Sequence, residues 1–146
     1  MDYDVIRKVI ENSSDATAIY VGCDSKRKKK KLIYVTTVVV HYDSNRGATV
    51  FVDKQVERYI GVFPKLQGEI YKAAEVAKEI KTMVGTRKFE VHLDFNHNIK
   101  YQSNKLIPEA KGAIMGIVGV EPKFKPDAWA ASTCADKYTV NGGMVK

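Results

Sequence analysis

The chain has 146 residues, of which 45% are hydrophobic, and this composition favours a folded chain over a disordered one. The length suits a single domain, residues 1–146, with one core. Its 24 Lys and Arg residues against 17 Asp and Glu give a net charge of +7, which favours a polyanionic partner such as nucleic acid. No apolar run reaches the roughly 18 residues that a membrane span needs, and Met1 to Val9 contain no signal-peptide core. We therefore expect a cytoplasmic protein with no membrane partner.

The first half of the chain predicts one helix followed by three strands. The helix covers Asp2 to Asn12, where apolar residues recur at helical spacing. Three segments rich in β-branched residues follow, and short polar turns separate them, so we expect an antiparallel meander. The predicted strands are Thr17 to Cys23, Leu32 to Tyr42 and Ala48 to Asp53.

The second half predicts helices and strands in alternation. A long helix begins at Pro64, whose fixed φ suits a first turn, and ends before Gly85. The later elements are a strand over Phe89 to Phe95, a helix over Asn104 to Val118, a short fifth strand over Val120 to Lys125 and a final helix within Asp127 to Tyr138. We therefore predict an α/β fold with a five-stranded mixed sheet, in which two parallel strands follow the meander, and with helices on both faces of the sheet.

Four acidic residues occupy informative positions in this order. Asp24 ends the first strand and Asp94 ends the fourth, while Glu69 lies on the long helix and Asp136 on the last one. The first and fourth strands can be parallel neighbours, which would place Asp24 and Asp94 side by side. Ligands bind at the carboxyl ends of the strands in such sheets. This end of the sheet is therefore the predicted site.

The motifs around these acids are Val21-Gly22-Cys23-Asp24-Ser25, Glu69, Val91-His92-Leu93-Asp94 and Cys134-Ala135-Asp136-Lys137. In this order they resemble the ribonuclease H-like superfamily, and more closely a bacterial and phage family of predicted ribonuclease H-like nucleases. The resemblance covers about residues 16–140. It implies that the four acids bind two Mg²⁺ or Mn²⁺ ions: Asp24 would bridge both, Glu69 and Asp94 would hold one, and Asp136 the other.

The resemblance further implies a nuclease that hydrolyses phosphodiester bonds in RNA, an RNA–DNA hybrid or structured DNA. Hard divalent cations prefer oxygen ligands, and two ions about 3.5–4 Å apart can activate a water and stabilise the leaving oxygen. Other interpretations stay open for each acid. Asp24 and Asp94 suit turns, Glu69 suits a solvated helix face, and Asp127 competes with Asp136 as the fourth carboxylate.

Neighbouring residues extend this hypothesis. The basic run after Asp24 predicts a clamp on the nucleic-acid backbone. Its members are Ser25, Lys26, Arg27, Lys28 and Lys29. A solvated turn that protects a sheet edge is the alternative. Asn96 and His97 could orient water or move protons beside the metals, although a polar loop is the more common explanation for such a histidine.

Two further predictions concern the class of the protein. A non-catalytic nucleic-acid-binding module on the same fold is the alternative function, but such a module gains nothing from carboxylates that face phosphates. Cys23 and Cys134 match neither a zinc site nor a CxxC motif, so we expect free thiols in or near the core.

Overall fold

The computed structural model describes residues 1–44, 47–94 and 106–124. These residues form a mixed α/β fold. Its elements are α1 (Tyr3–Glu11), β1 (Ala18–Lys28), β2 (Lys31–His41), a 3₁₀ turn (Tyr42–Ser44), β3 (Ala48–Arg58), α2 (Val62–Lys81), β4 (Lys88–Leu93) and α3 (Ile107–Ile117).

The sheet has the strand order β3-β2-β1-β4. The first three strands form the predicted antiparallel meander, and β1 pairs with β4 in parallel, also as predicted. β1 runs five residues further than the sequence indicated, because the basic residues after Cys23 continue the ladder to the pair Lys28 and Lys31. The two-residue turn between β1 and β2 is made possible by Lys29, whose φ is 58°.

The prediction of five strands is wrong for the described part of the chain, which forms a four-stranded sheet. In the described part of the segment predicted as the fifth strand, residues 120–124, Lys123 alone joins the sheet, through a single parallel bridge with His92. The chain leaves α3 at Gly119, whose φ is 86°, while Lys81 of α2 holds the preceding carbonyl of Val118 at 2.8 Å. Among the described residues the chain therefore comes alongside β4 at Lys123, which exchanges backbone hydrogen bonds with Val91 and Leu93.

The three described helices pack on one face of the sheet, which we call the helix face. Its strand residues include Ile19, Val21 and Cys23 of β1, which share one large core with the buried stripes of the helices. That stripe in α2 consists of Ile70, Ala73, Ala77 and Ile80. The predicted helix within Asp127 to Tyr138 lies outside the described residues. The prediction that helices also cover the other face of the sheet therefore stays a prediction.

The opposite side of the sheet, which we call the far face, carries the alternate residues of each strand. Ala18 and Tyr20 of β1 cluster there with Val39, and Ile33 clusters with Val35. The strict alternation between the two sets follows from the two-residue period of a strand. It fixes the side of the sheet from which every strand side chain acts.

α2 and β2 approach each other closely at Gly68. A Cβ atom at this position would lie 2.8 Å from the Cε1 atom of Tyr34, and closer still to its hydroxyl group. The Tyr34 hydroxyl donates to the carbonyls of Pro64 and Lys65, at 3.3 and 3.1 Å. Tyr34 therefore sets the height of α2 over the sheet one residue before Glu69.

Cys23 is buried with a free thiol, as predicted, and burial raises its pKa above the usual range. Cys134 lies outside the described residues. None of the helices that the structure describes is long and apolar enough to cross a membrane.

Candidate functional site

Asp24 and Asp94 lie at the same end of the sheet. The last residue pair of the parallel ladder joins Cys23 to Leu93, and each acid is the residue that follows. The expected neighbourhood of the two strand ends is therefore present. The Oδ1 atom of Asp24 accepts the backbone N–H of Ser25 at 2.8 Å, which holds the carboxylate at the end of the ladder.

Glu69 lies on the inner side of α2 and is only 2% exposed, so the solvated helix-face interpretation is wrong. Ser25 donates its hydroxyl to Oε2 of Glu69. The ammonium of Lys65, one helical turn earlier, lies 3.3 Å from the same oxygen. The carboxyl group of Glu69 is thus connected to β1 through the residue directly after Asp24.

The pKa of Glu69 is raised to about 8, mainly by burial and next by the negative charge of Asp24. Lys65 and the hydrogen bond from Ser25 oppose this rise without cancelling it. Repulsion between two carboxyl groups is felt only when they are close. Asp24 and Glu69 are therefore close enough for the charge of one to act on the other.

Alternation along β1 nevertheless separates the two acids across the sheet. Ser25 shares the helix face with Glu69, whereas Asp24 follows Gly22 onto the far face. Within residues 1–44, 47–94 and 106–124, no three His, Cys, Asp or Glu side chains are grouped closely enough to hold a metal ion. Asp136, its competitor Asp127, and the neighbours Asn96 and His97 lie outside these ranges.

The donor set suits a hard divalent cation in its chemistry. Asp24, Glu69 and Asp94 offer carboxylate oxygens, the ligand atoms that Mg²⁺ and Mn²⁺ prefer. Burial first, and then the charge of Asp24, hold Glu69 toward its protonated form, and a cation beside it would favour the charged form. The described acids thus fit the metal in the chemistry of their donor atoms, while no three of them are grouped within the described ranges.

A family model described as "Ribonuclease H-like" matches residues 2–140 of the chain. The chain belongs to the ribonuclease H-like family. This membership confirms the resemblance carried by the motifs around the four acids, and it gives the chain a nuclease-type or nucleic-acid-related fold. The comparison with curated proteins gave no match. The comparison with solved structures gave none either.

In this ribonuclease H-like chain the predicted basic clamp is divided between the two faces of the sheet. Arg27 lies on the helix face, where its guanidinium stacks 4.0 Å above the ring of Tyr59 and donates to the carbonyl of Lys29. Lys26 and Lys28 follow Asp24 on the far face. Ser25 is buried against Glu69, so the structure places it as a support for that carboxyl group and not on the exposed surface.

Lys65 is the contributor to the site that the sequence analysis missed. It stands four residues before Glu69 on α2, and such spacing places two side chains on the same helix face. The pairing was therefore readable from the sequence once Glu69 was a candidate.

His92 is fully buried beside Tyr20, and its Nε2 atom lies 2.9 Å from Glu90. Burial lowers the pKa of His92, which fits the packed role expected for a strand histidine.

Proposed function

We propose that this ribonuclease H-like chain is a divalent-metal-dependent nuclease that hydrolyses phosphodiester bonds in RNA, an RNA–DNA hybrid or structured DNA. The observation that carries the proposal is the position of Asp24. It follows the last β1–β4 pair beside Asp94, and its charge acts on the buried carboxyl of Glu69. Asp136 completes the proposed set of acids. Two bound Mg²⁺ or Mn²⁺ ions would activate the attacking water and stabilise the leaving oxygen.

The residues of the chain have distinct parts in this proposal. Asp24 and Asp94 offer oxygen donors from the two strand ends. Glu69 reaches the same end from α2, and the hydroxyl of Ser25 fixes the direction of its carboxyl group. Lys65 lies 3.3 Å from Oε2 of Glu69 and favours the charged form of its carboxyl group. Ser25 and Lys65 are thus positioning residues that act through Glu69.

One observation favours the alternative of a non-catalytic nucleic-acid-binding module. Lys65 and Ser25 already satisfy Glu69 inside the fold, and a carboxyl group with a pKa near 8 is largely neutral at pH 7. A binding module could use such a group only for structure. The two functions differ in whether divalent ions bind at Asp24.

The test is a cleavage assay in Mg²⁺ or Mn²⁺ with labelled RNA, DNA, RNA–DNA hybrid and four-way junction. Wild-type protein is compared with Asp24→Asn and Asp94→Asn. We expect each substitution to lower the rate at least about a hundredfold, since each removes about 2.7 kcal/mol or more of transition-state stabilisation. Asp15→Asn, at an exposed turn before β1, is the matched control and should cleave like the wild type.

Metal binding is measured separately by titrating Mg²⁺ and Mn²⁺ while following the thermal midpoint. An ion that binds only the folded chain raises its stability, and this rise should disappear in Asp24→Asn. Cleavage that persists in both Asp variants would contradict the proposed site. Nucleic-acid binding without metal binding and without cleavage would establish the binding module instead.

A further inference from the structure

β3 separates its charges by face. Its last six residues alternate strictly, so that Asp53, Gln55 and Glu57 belong to the helix face. The contacts confirm this side, because Lys72 of α2 bonds both Gln55 and Glu57 at 2.7 Å. Lys54, Val56 and Arg58 therefore point to the far face. One strand thus carries acids toward the helices and bases away from them.

The register extends this separation across three strands. Three cross-strand rows on the far face lie at the end of the sheet where Asp24 stands. They are Asp24–Val35–Lys54, Lys26–Ile33–Val56 and Lys28–Lys31–Arg58. Five of these nine residues are Lys or Arg, and Asp24 is their one acid. We call Lys26, Lys28, Lys31, Lys54 and Arg58 the basic strand surface.

The outer row of the surface is open to a partner, whereas Ile33 and Val35 in the two inner rows are buried. Lys28, Lys31 and Arg58 of the outer row are exposed, and Val56 of the next row is 57% exposed. Among the described residues, no ion pair joins these three cations to an acidic side chain. The helix face at the same end differs, because Lys72 and Lys65 are bound to Glu57 and Glu69. At this end the far face therefore presents three exposed cations, while Arg27 on the helix face is stacked on Tyr59.

The dimensions suit a polyanion. Three strands span about 10 Å, and four residues along a strand span about 13 Å. At one phosphate per about 3.4 Å of each strand, this length accommodates about four nucleotides of one backbone. Asp24 stands in the row at the inner end of the surface. A backbone laid along it would lead toward the strand ends where the carboxylates gather.

We propose that the basic strand surface binds the phosphate backbone of nucleic acid and guides it to Asp24 across the far face of the sheet. This inference rests on the proposed function and adds the direction from which the substrate approaches. Lys and Arg on regular strands contact phosphates without reading base edges, so the binding is independent of sequence. The site extends the predicted run of Lys26 to Lys29 onto β2 and β3 and leaves out Arg27.

The test measures the affinity of the intact chain for labelled single-stranded RNA and for RNA–DNA hybrid by fluorescence anisotropy in EDTA, where metal-dependent cleavage is absent. The variant is Lys31→Gln/Lys54→Gln/Arg58→Gln. The control, Lys8→Gln/Lys78→Gln/Lys111→Gln, removes the same charge from exposed positions of the three helices. We expect the first to weaken binding at least about tenfold and the control less than about threefold.

Salt dependence gives a second readout. For single-stranded RNA each phosphate contact contributes about −0.7 to the slope of log K against log salt, so three lost contacts should flatten the slope by about 2. The control should keep the wild-type slope. Thermal midpoints check that each variant is folded. If the triple variant fails to fold, Lys31→Gln/Arg58→Gln, at exposed positions alone, replaces it and should flatten the slope by about 1.4.

Equal losses in the two triple variants would overturn the proposal, because net charge alone would then explain binding. Absence of wild-type binding would overturn it too. So would a polyglutamate control that binds the wild type as tightly as RNA does and whose affinity falls as much in the variant. The proposed nuclease is tested independently of this surface. If the wild type binds through the surface but does not cleave, the binding inference stands and the proposed nuclease is wrong. If the wild type cleaves but the triple variant binds as tightly as the wild type, the nuclease stands and the binding inference is wrong.

Discussion

The two faces of the sheet differ most at the end where Asp24 lies. On the helix face Glu69 is buried, and Ser25 and Lys65 hold its carboxyl group in place. On the far face three strands carry exposed cations beside a single acid. The same strands build both arrangements, because every second residue of a strand faces the other way. The same end of the sheet thus combines a buried carboxyl group on one face with exposed positive charge on the other.

The largest difference between the faces should appear in stability. Ile70 of α2 is fully buried in the core of the helix face, whereas Val56 on the far face is 57% exposed. We expect Ile70→Ala to lower the free energy of unfolding by about 2–5 kcal/mol, and Val56→Ala to change it by less than about 0.5 kcal/mol. Chemical denaturation measures both.

Ile70→Val is the control for packing and should cost only about 0.5–1.5 kcal/mol. If Val56→Ala were as costly as Ile70→Ala, the end of the far face would be a packed core and could not be a binding surface.

The pH dependence of stability tests the buried carboxyl of the helix face. The pKa of Glu69 is about 8 in the folded chain and 4.5 ordinarily, so the folded chain holds the proton more tightly. Stability from this group is complete below about pH 4.5 and is lost as the pH rises through about 8. Even half of the difference between these two pKa values corresponds to a change of about 2.4 kcal/mol in the free energy of unfolding. Glu69→Gln should therefore be more stable than the wild type at pH 9, but not at pH 5.

Thermal unfolding across pH 5–9 measures this difference. Glu75→Gln, at an exposed position of the same helix, should follow the wild-type curve. In Asp24→Asn the pKa of Glu69 should be lower than in the wild type, because the charge of Asp24 raises it. The loss of stability should therefore begin at a lower pH in this variant. An unchanged curve would mean that the two acids are not neighbours.

Gly68 tests the close contact between α2 and β2. Gly68→Ala places a methyl group against the ring of Tyr34, and overpacking of this kind costs about 1–3 kcal/mol. Gly112→Ala in α3 is the matched control, because a Cβ there meets nothing within 4 Å and alanine suits a helix better than glycine by up to about 1 kcal/mol. Denaturation should show opposite signs for the two variants, and equal signs would contradict the contact.

The smallest effect concerns the stacking of Arg27 on Tyr59. A double-mutant cycle with Arg27→Ala and Tyr59→Leu should give a coupling of about 0.5–1 kcal/mol. Arg27→Gln should also weaken nucleic-acid binding less than Arg58→Gln, because Arg27 faces the helices. A larger loss for Arg27→Gln would place the nucleic acid on the wrong side of the sheet.

The sequence predicted the fold well where its periodicity was strong. The meander, the parallel pairing of β1 with β4 and the stripe of α2 follow from the spacing of apolar residues, and the structure confirms them. The fifth strand was wrong for the described residues, because Val120 to Lys125 has the composition of a strand but within residues 120–124 Lys123 alone pairs with β4. The composition of a segment does not predict the direction in which the chain leaves the preceding helix.

For the candidate site, the sequence predicted the end of the sheet that the acids share better than the face on which each acid lies. Asp24, Glu69 and Asp94 were candidates because strand ends and helix stripes are readable from the sequence. Their separation across the sheet was harder to foresee, since it depends on the residue at which the ladder ends. Ser25 was interpreted as a phosphate contact, yet it lies on the helix face with Glu69. One residue of register decides between these roles.

The end of the β1–β4 ladder also divides β1 by mobility. Up to Cys23 the strand is bonded on both sides, to β2 and to β4. The described ladder with β4 stops there, and the next amide, that of Asp24, begins a stretch whose described strand partner is β2 alone. Backbone amides before this boundary should exchange with solvent only on global opening, and those after it by local opening. Asp24 is thus anchored to the rigid centre of the domain, while the basic turn beyond it can adapt to the shape of what it binds.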